Sequence, residues 1–197
     1  MPLKSNVSRQ LKTLMQFALT YRGPLKSNAR PNDKHELRRH FHRQIRSLWS
    51  VYPLSEYTEW LTSPPTHGEV TVIRERHGFR FAPLVCEGMR SVAELDITLL
   101  WPQAPGAIFK NGGDIDNRLK TLFDALKMPS EPTALPPGTV PQQDETPFFC
   151  LLEDDSLISR VNVNTERLLE PVQSPSEVAL LVHVKTRNLG ATYDALP

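Results

Sequence analysis

The stretch ELDITLLWPQAPGAIFKNGGDIDNRLKTLFDALK, residues 94–127, changes its period partway along. Leu95, Ile97, Leu99 and Trp101 alternate with Asp96, Thr98 and Leu100, the two-residue repeat of a strand with one buried face. Pro102, Pro105, Gly106, Gly112 and Gly113 interrupt that repeat. Leu119, Leu122, Phe123 and Leu126 then recur at helical spacing, which predicts a helix over about 116–127 that Pro129 stops.

Upstream, Met15, Phe17, Leu19 and Tyr21 alternate as a first strand, and 21–31 is a basic loop. A helix is expected to begin near Asp33, since Asp33 and Glu36 have the spacing of a capping box and Leu37, Phe41, Ile45 and Leu48 form a helical stripe. Its other face is Arg38, Arg39, His42, Arg43 and Arg46, and its regularity should fail before Pro53. Two strands, 69–74 and 79–84, are predicted around a tight turn at Arg76-His77-Gly78. Two closing strands, 158–164 and 177–185, follow a segment with six prolines, residues 129–149, which reads as an insertion because it shows neither period. The order of elements predicts an α+β fold, a mixed β-sheet with about two main helices packed on it, in one domain over 1–197.

The 197 residues, 39% hydrophobic and 23% charged, supply one core and exclude wholesale disorder. No run approaches the roughly 20 apolar residues of a membrane span, and Met1 to Arg9 lacks the apolar run of a secretory signal, so no membrane role and a cytoplasmic location are expected. Cys86 and Cys150 have no metal-ligand spacing and read as buried fillers in a reducing compartment. The net charge of +1 conceals an asymmetry: residues 1–50 hold eleven Lys/Arg against two acids, and the remainder twelve against twenty. A basic surface at one end can meet phosphates, and an acidic group at the other can hold cations.

The acids are concentrated in two places. In Gly112-Gly113-Asp114-Ile115-Asp116-Asn117-Arg118-Leu119-Lys120, the two aspartates point the same way if the chain is extended there, and Asp116 and Lys120 lie one turn apart on a helix, with Asp124 continuing the row. Taken alone, this pattern reads better as an N-cap followed by an ion-pair ladder. Glu153-Asp154-Asp155 at a strand entrance is either an Asx turn or part of a cation site, and Mg²⁺ favours carboxylates from separate segments meeting at one rim. His35, His40 and His42 mix helix faces and suit a solvated or phosphate-contacting role better than a metal site. Phe148 and Phe149 suit core packing better than insertion between bases.

Together these segments resemble the RusA family of Holliday-junction resolvases. The family's Asp-x-Asp-Asn-x-x-Lys is matched by Asp114, Asp116, Asn117 and Lys120, its Asp-Ala-Leu by Asp124, Ala125 and Leu126, and its later Asp-Asp by Asp154 and Asp155. The Pro- and Asn-containing loop 24–30 is similar to the basic loop after the family's first strand. The chain departs from the pattern in its Pro-rich insertion, in Lys110-Asn111-Gly112-Gly113 where a basic run is common, and in Arg118 and Glu153 where apolar residues are common. The resemblance implies a homodimeric, Mg²⁺-dependent endonuclease (Mn²⁺ possible) that cuts branched DNA. On that basis Asp114, Asp116 and Asp155 are expected to hold metal, with Asp154 as a supporting or alternate ligand. Lys120 would orient water or stabilise the phosphorane. Arg22, Lys26, Arg30, Arg38, Arg39, Arg43 and Arg46 are expected to contact phosphates by shape rather than sequence. A non-catalytic nucleic-acid-binding or interaction protein of the same fold is the alternative.

Overall fold

A computed structural model describes residues 15–62, 71–104 and 115–189. The chain has an α+β fold with two helices and two mixed sheets rather than the one sheet expected from the sequence. Strand β1 (Gln16–Pro24) leads to helix α1 (Pro31–Trp49), then to β2 (Arg74–Arg76), β3 (Phe79–Val85), β4 (Ser91–Trp101), helix α2 (Ile115–Leu126), β5 (Phe148–Leu152), β6 (Ile158–Arg167) and β7 (Glu177–Asn188). Residues 63–70, including Glu69 and Val70 of the strand predicted over 69–74, lie outside the described residues, and Thr71, Val72 and Ile73 are not in a strand, so pairing begins only at Arg74. The predicted turn is present: His77 (φ 51°) and Gly78 (φ 79°) are both left-handed, the geometry that joins two twisted strands in a two-residue hairpin.

The larger sheet has the order β1-β7-β4-β6, antiparallel except for the β4–β6 pair. Its registers line up the apolar positions read from the sequence, so that Leu19, Val182, Ile97 and Val163 form one row across all four strands and Phe17, Val184, Leu95 and Val161 the next. This face meets Leu37, Phe41, Ile45 and Trp49 of α1 and Leu122, Ala125 and Leu126 of α2 in one core. Each helix contributes the stripe its spacing predicted, and burying such side chains is worth roughly 1.5–3 kcal/mol apiece.

The smaller sheet, β2-β3-β5, pairs β3 with β5 in parallel. Every residue of β5 is buried, as are all of β3 except Arg80, so neither strand shows the alternation that reveals a half-exposed strand. Its far side carries a second cluster, Phe79, Phe81, Met128, Leu135, Phe148 and Cys150, in which Leu135 comes from the Pro-rich segment. That segment therefore closes a second core, and Phe148 and Phe149 are core residues. Both cysteines are buried and unpaired, and burial pushes the Cys150 thiol up to about 12.

Candidate functional site

Helix α2 carries the first acidic segment. Its buried side is Leu122, Ala125 and Leu126 together with Arg118, while Asp116 and Lys120 are exposed. Arg118 stands inward because its guanidinium lies 4.0 Å from the Trp101 ring centroid and donates to the Leu25 carbonyl. A cation over an indole face is attracted by the ring's quadrupole, so an apolar position accepts an arginine here. Thr121 Oγ1 donates to the Lys26 carbonyl at 3.0 Å, and these two bonds tie the loop after β1 to α2.

The ladder expected along α2 is broken at its second step. Asp124 Oδ2 accepts from Lys34 Nζ of α1 at 2.6 Å, and Lys120 makes no ion pair among the described residues. An exposed lysine thus remains one turn from Asp116. Asp116 also stands in the first turn, where a carboxylate complements the helix dipole. Asp114, assigned from sequence as its companion, lies outside the described residues.

Asp154 and Asp155 sit where β5 ends, and both approach one cation. Lys127 Nζ is 2.9 Å from Asp155 Oδ1 and 3.9 Å from Asp154 Oδ2. Asp154 is itself extended, but a 3₁₀ turn, Asp155–Leu157, begins directly after it, and Asp154 caps that turn by accepting from the Ser156 amide at 3.0 Å. Hydrogen bonding from the Ser156 side chain and then its amide, with the charge of Lys127 as a smaller contribution, holds the Asp154 carboxyl below its ordinary range. Lys127 is placed by a bridge to Leu152 and by the Met128 amide donating to the Leu152 carbonyl at 3.0 Å. Glu153 belongs to the scaffold: it accepts from Arg74 Nε at 2.8 Å and from the Glu87 amide at 3.1 Å.

Among the described residues, Asp116 stands apart from Asp154 and Asp155. Asp116 starts α2 and Lys127, with its two aspartates, follows the end of it, eleven residues or about 16 Å of helix rise away. Among the described residues no three His, Cys, Asp or Glu side chains gather as a metal-binding group. Lys127 is the residue the sequence reading missed. At 120 and at 127 a lysine near an acid looks the same on paper, and only the meeting of α2 with β5 selects 127 as the partner of Asp155.

The basic set needs correction. Arg38 is 2% exposed, so it cannot face a phosphate. Its Nη2 donates to the Asp124 carbonyl at 2.7 Å, its Nε to the Lys127 carbonyl at 3.3 Å and its Nη1 to His35 Nδ1 at 3.3 Å. It therefore caps the open carbonyls at the end of α2. His35 and His42 are also buried rather than solvated, and burial followed by the charge of Arg38 lowers the His35 pKa to about 4. His42 Nδ1 accepts from the Phe149 amide at 2.9 Å, which leaves Nε2 to donate to the Asp144 carbonyl at 3.1 Å.

Arg39 pairs with buried Glu145 at 2.6 Å and Arg46 with Asp144 at 3.1 Å, so both hold the Pro-rich segment against α1. Arg22 bonds Glu170 and Glu177, and Lys26 bonds Asp33 at 2.8 Å. Of the cations assigned to DNA, Arg30 and Arg43 are exposed and make no ion pair among the described residues. No described helix is long and apolar enough to cross a membrane. Comparison of the chain with protein-family models, with curated proteins and with solved structures finds no match.

Proposed function

We propose that this chain is a metal-dependent endonuclease of RusA type that acts on branched DNA such as four-way junctions. The observation carrying this reading is the exposed pair Asp116 and Lys120 on α2, with Asp124 drawn away by Lys34, so that the lysine is not locked in a ladder. A lysine held beside a carboxylate on a rigid helix can meet a phosphate oxygen and keep the attacked phosphorus in place. Arg30 and Arg43 supply exposed positive charge for the DNA backbone.

Mg²⁺ or Mn²⁺ fits the donor chemistry of Asp116, Asp154 and Asp155, which are hard oxygen ligands. A bound divalent ion would lower the pKa of a water and screen charge at the phosphate. Within one chain Asp116 stands too far from Asp154 and Asp155 to share one ion with them, so a site that uses all three requires a homodimer. Paired cuts in two equivalent strands of a junction ask for the same two-fold. Lys127 on Asp155 favours a second reading, a non-catalytic DNA-binding protein in which that ion pair is structural.

The two readings separate on labelled four-way junction, flap and linear duplex, each with and without Mg²⁺. A nuclease cuts the branched substrates only with metal, and Asp116→Asn and Lys120→Ala each lower the rate at least about 100-fold, the scale of losing a group that acts in the transition state. Binding without metal-dependent cutting would reject the nuclease.

A further inference from the structure

We infer that the outer edge of β6 is where a second copy of the chain docks, strand to strand and antiparallel, joining the two four-stranded sheets into one of eight. The other edges are short or engaged by side chains at their middle. At the centre of β1, Gln44 of α1 takes both backbone groups of Thr20, its Oε1 accepting from the Thr20 amide at 3.0 Å and its Nε2 donating to the Thr20 carbonyl at 2.7 Å. In the smaller sheet β2 has three residues, the Phe149 amide of β5 is taken by His42, and the Leu152 carbonyl by the Met128 amide.

β6 has ten residues, and among the described residues no strand or side chain covers its far side. It also lacks the usual protection of an exposed edge. From Val161 to Thr165 there is no proline, no lysine and no charge pointing at the core, and Val161 is 41% exposed. An open edge of this kind presents its amides and carbonyls for pairing.

The occupant follows from the order of side chains along β6. Antiparallel partners share a face, so a two-fold at Val163 sets Val161 opposite Thr165 of the second copy on the core side. On the outer side it sets Asn162 opposite Asn164 and Arg160 opposite Glu166, each pair occurring twice. Glu166 is exposed and makes no ion pair among the described residues. Arg160 is half exposed, and its bonds to Glu94 and Asp96 leave two of its five N–H groups. Opposite charges directly across a strand pair stabilise it, and an unrelated strand would match this order only by chance.

This inference rests on the homodimer of the proposed function and names its surface; its test uses neither DNA nor metal, so a dimer built through another face would overturn the β6 edge and leave that function standing. Sedimentation of the full chain is expected to give the mass of two copies. Glu166→Arg should weaken the dimer about tenfold or more, since two attractive pairs become repulsive, while circular dichroism stays unchanged. Val163→Cys should cross-link the dimer on mild oxidation, because opposed residues stand within disulfide range and both native cysteines are buried. Arg90→Cys, exposed and ahead of the part of β4 that pairs with β6, far along the strand from position 163, should not. A monomer at the highest soluble concentration would overturn the assignment, including one that captures a strand from another protein. So would a dimer that ignores Glu166→Arg and fails to cross-link through position 163.

Discussion

Arg38 is the side chain on which a reading by charge and a reading by structure part most sharply. From its spacing it belongs to the basic face of α1, yet it is buried on the carbonyls of Asp124 and Lys127. Arg38→Ala leaves those carbonyls without their donor and is expected to cost about 3 kcal/mol, measured by urea unfolding. Arg43→Glu should leave stability within about 0.5 kcal/mol and weaken DNA binding equally across sequences. His35 beside Arg38 gives a pH signature. Its pKa falls from 6.5 unfolded to about 4 folded, so the unfolded chain takes up the proton first as pH drops. The stability it contributes is full above 6.5 and declines as pH falls toward 4, by about 3 kcal/mol at most at 1.36 kcal/mol per unit. His35→Leu should flatten that limb of a stability–pH curve even if the variant is less stable throughout.

At the scale of elements, the sequence exposed what was half-buried and hid what was wholly buried. The alternation in β4 and β7 and the stripes of α1 and α2 record a boundary between core and solvent, which is what periodicity measures. β5 has no such boundary, and the run Phe148 to Leu152 carries no period for that reason. The Pro-rich segment was legible as aperiodic but not as docked, because its fastening depends on partners about a hundred residues away: Arg39 with Glu145, Arg46 with Asp144 and His42 with the Asp144 carbonyl. Glu145 is 2% exposed and accepts from Arg39 and from the Gln142 amide. Glu145→Ala is therefore expected to destabilise the protein by about 1–2 kcal/mol, since the half-buried Arg39 and the Gln142 amide lose their acceptor. Hydrogen exchange should show amides 142–149 losing protection first. Unchanged exchange there would mean that Leu135 and its neighbours, not the ion pair, hold the segment.

For the molecule as a whole, the spacing of the acids and the open edge of β6 make a joint demand. β6 runs parallel to β4, from Ile158 beside Ala93, just after the Asp154–Asp155 corner, to Arg167 beside Trp101. Trp101 is where Arg118, and with it the first turn of α2 that carries Asp116, is anchored. Antiparallel pairing of two β6 strands reverses one against the other. It therefore carries the Asp154–Asp155 corner of each copy toward the Asp116 end of the second copy, twice, by one two-fold. If catalysis uses acids from both copies, Asp116→Asn and Asp155→Asn are each inactive alone but complement each other when mixed. A mixed dimer then holds one site with both substitutions and one with neither. With random exchange half the dimers are mixed and each has one intact site, so metal-dependent nicking of a four-way junction should return to about a quarter of the unsubstituted rate. Those cuts should fall in one strand per binding event, because the second site is dead. Sites built within single chains would give no recovery at any mixing ratio. Adding Glu166→Arg to both variants should abolish the recovery if the shared site depends on the β6 edge.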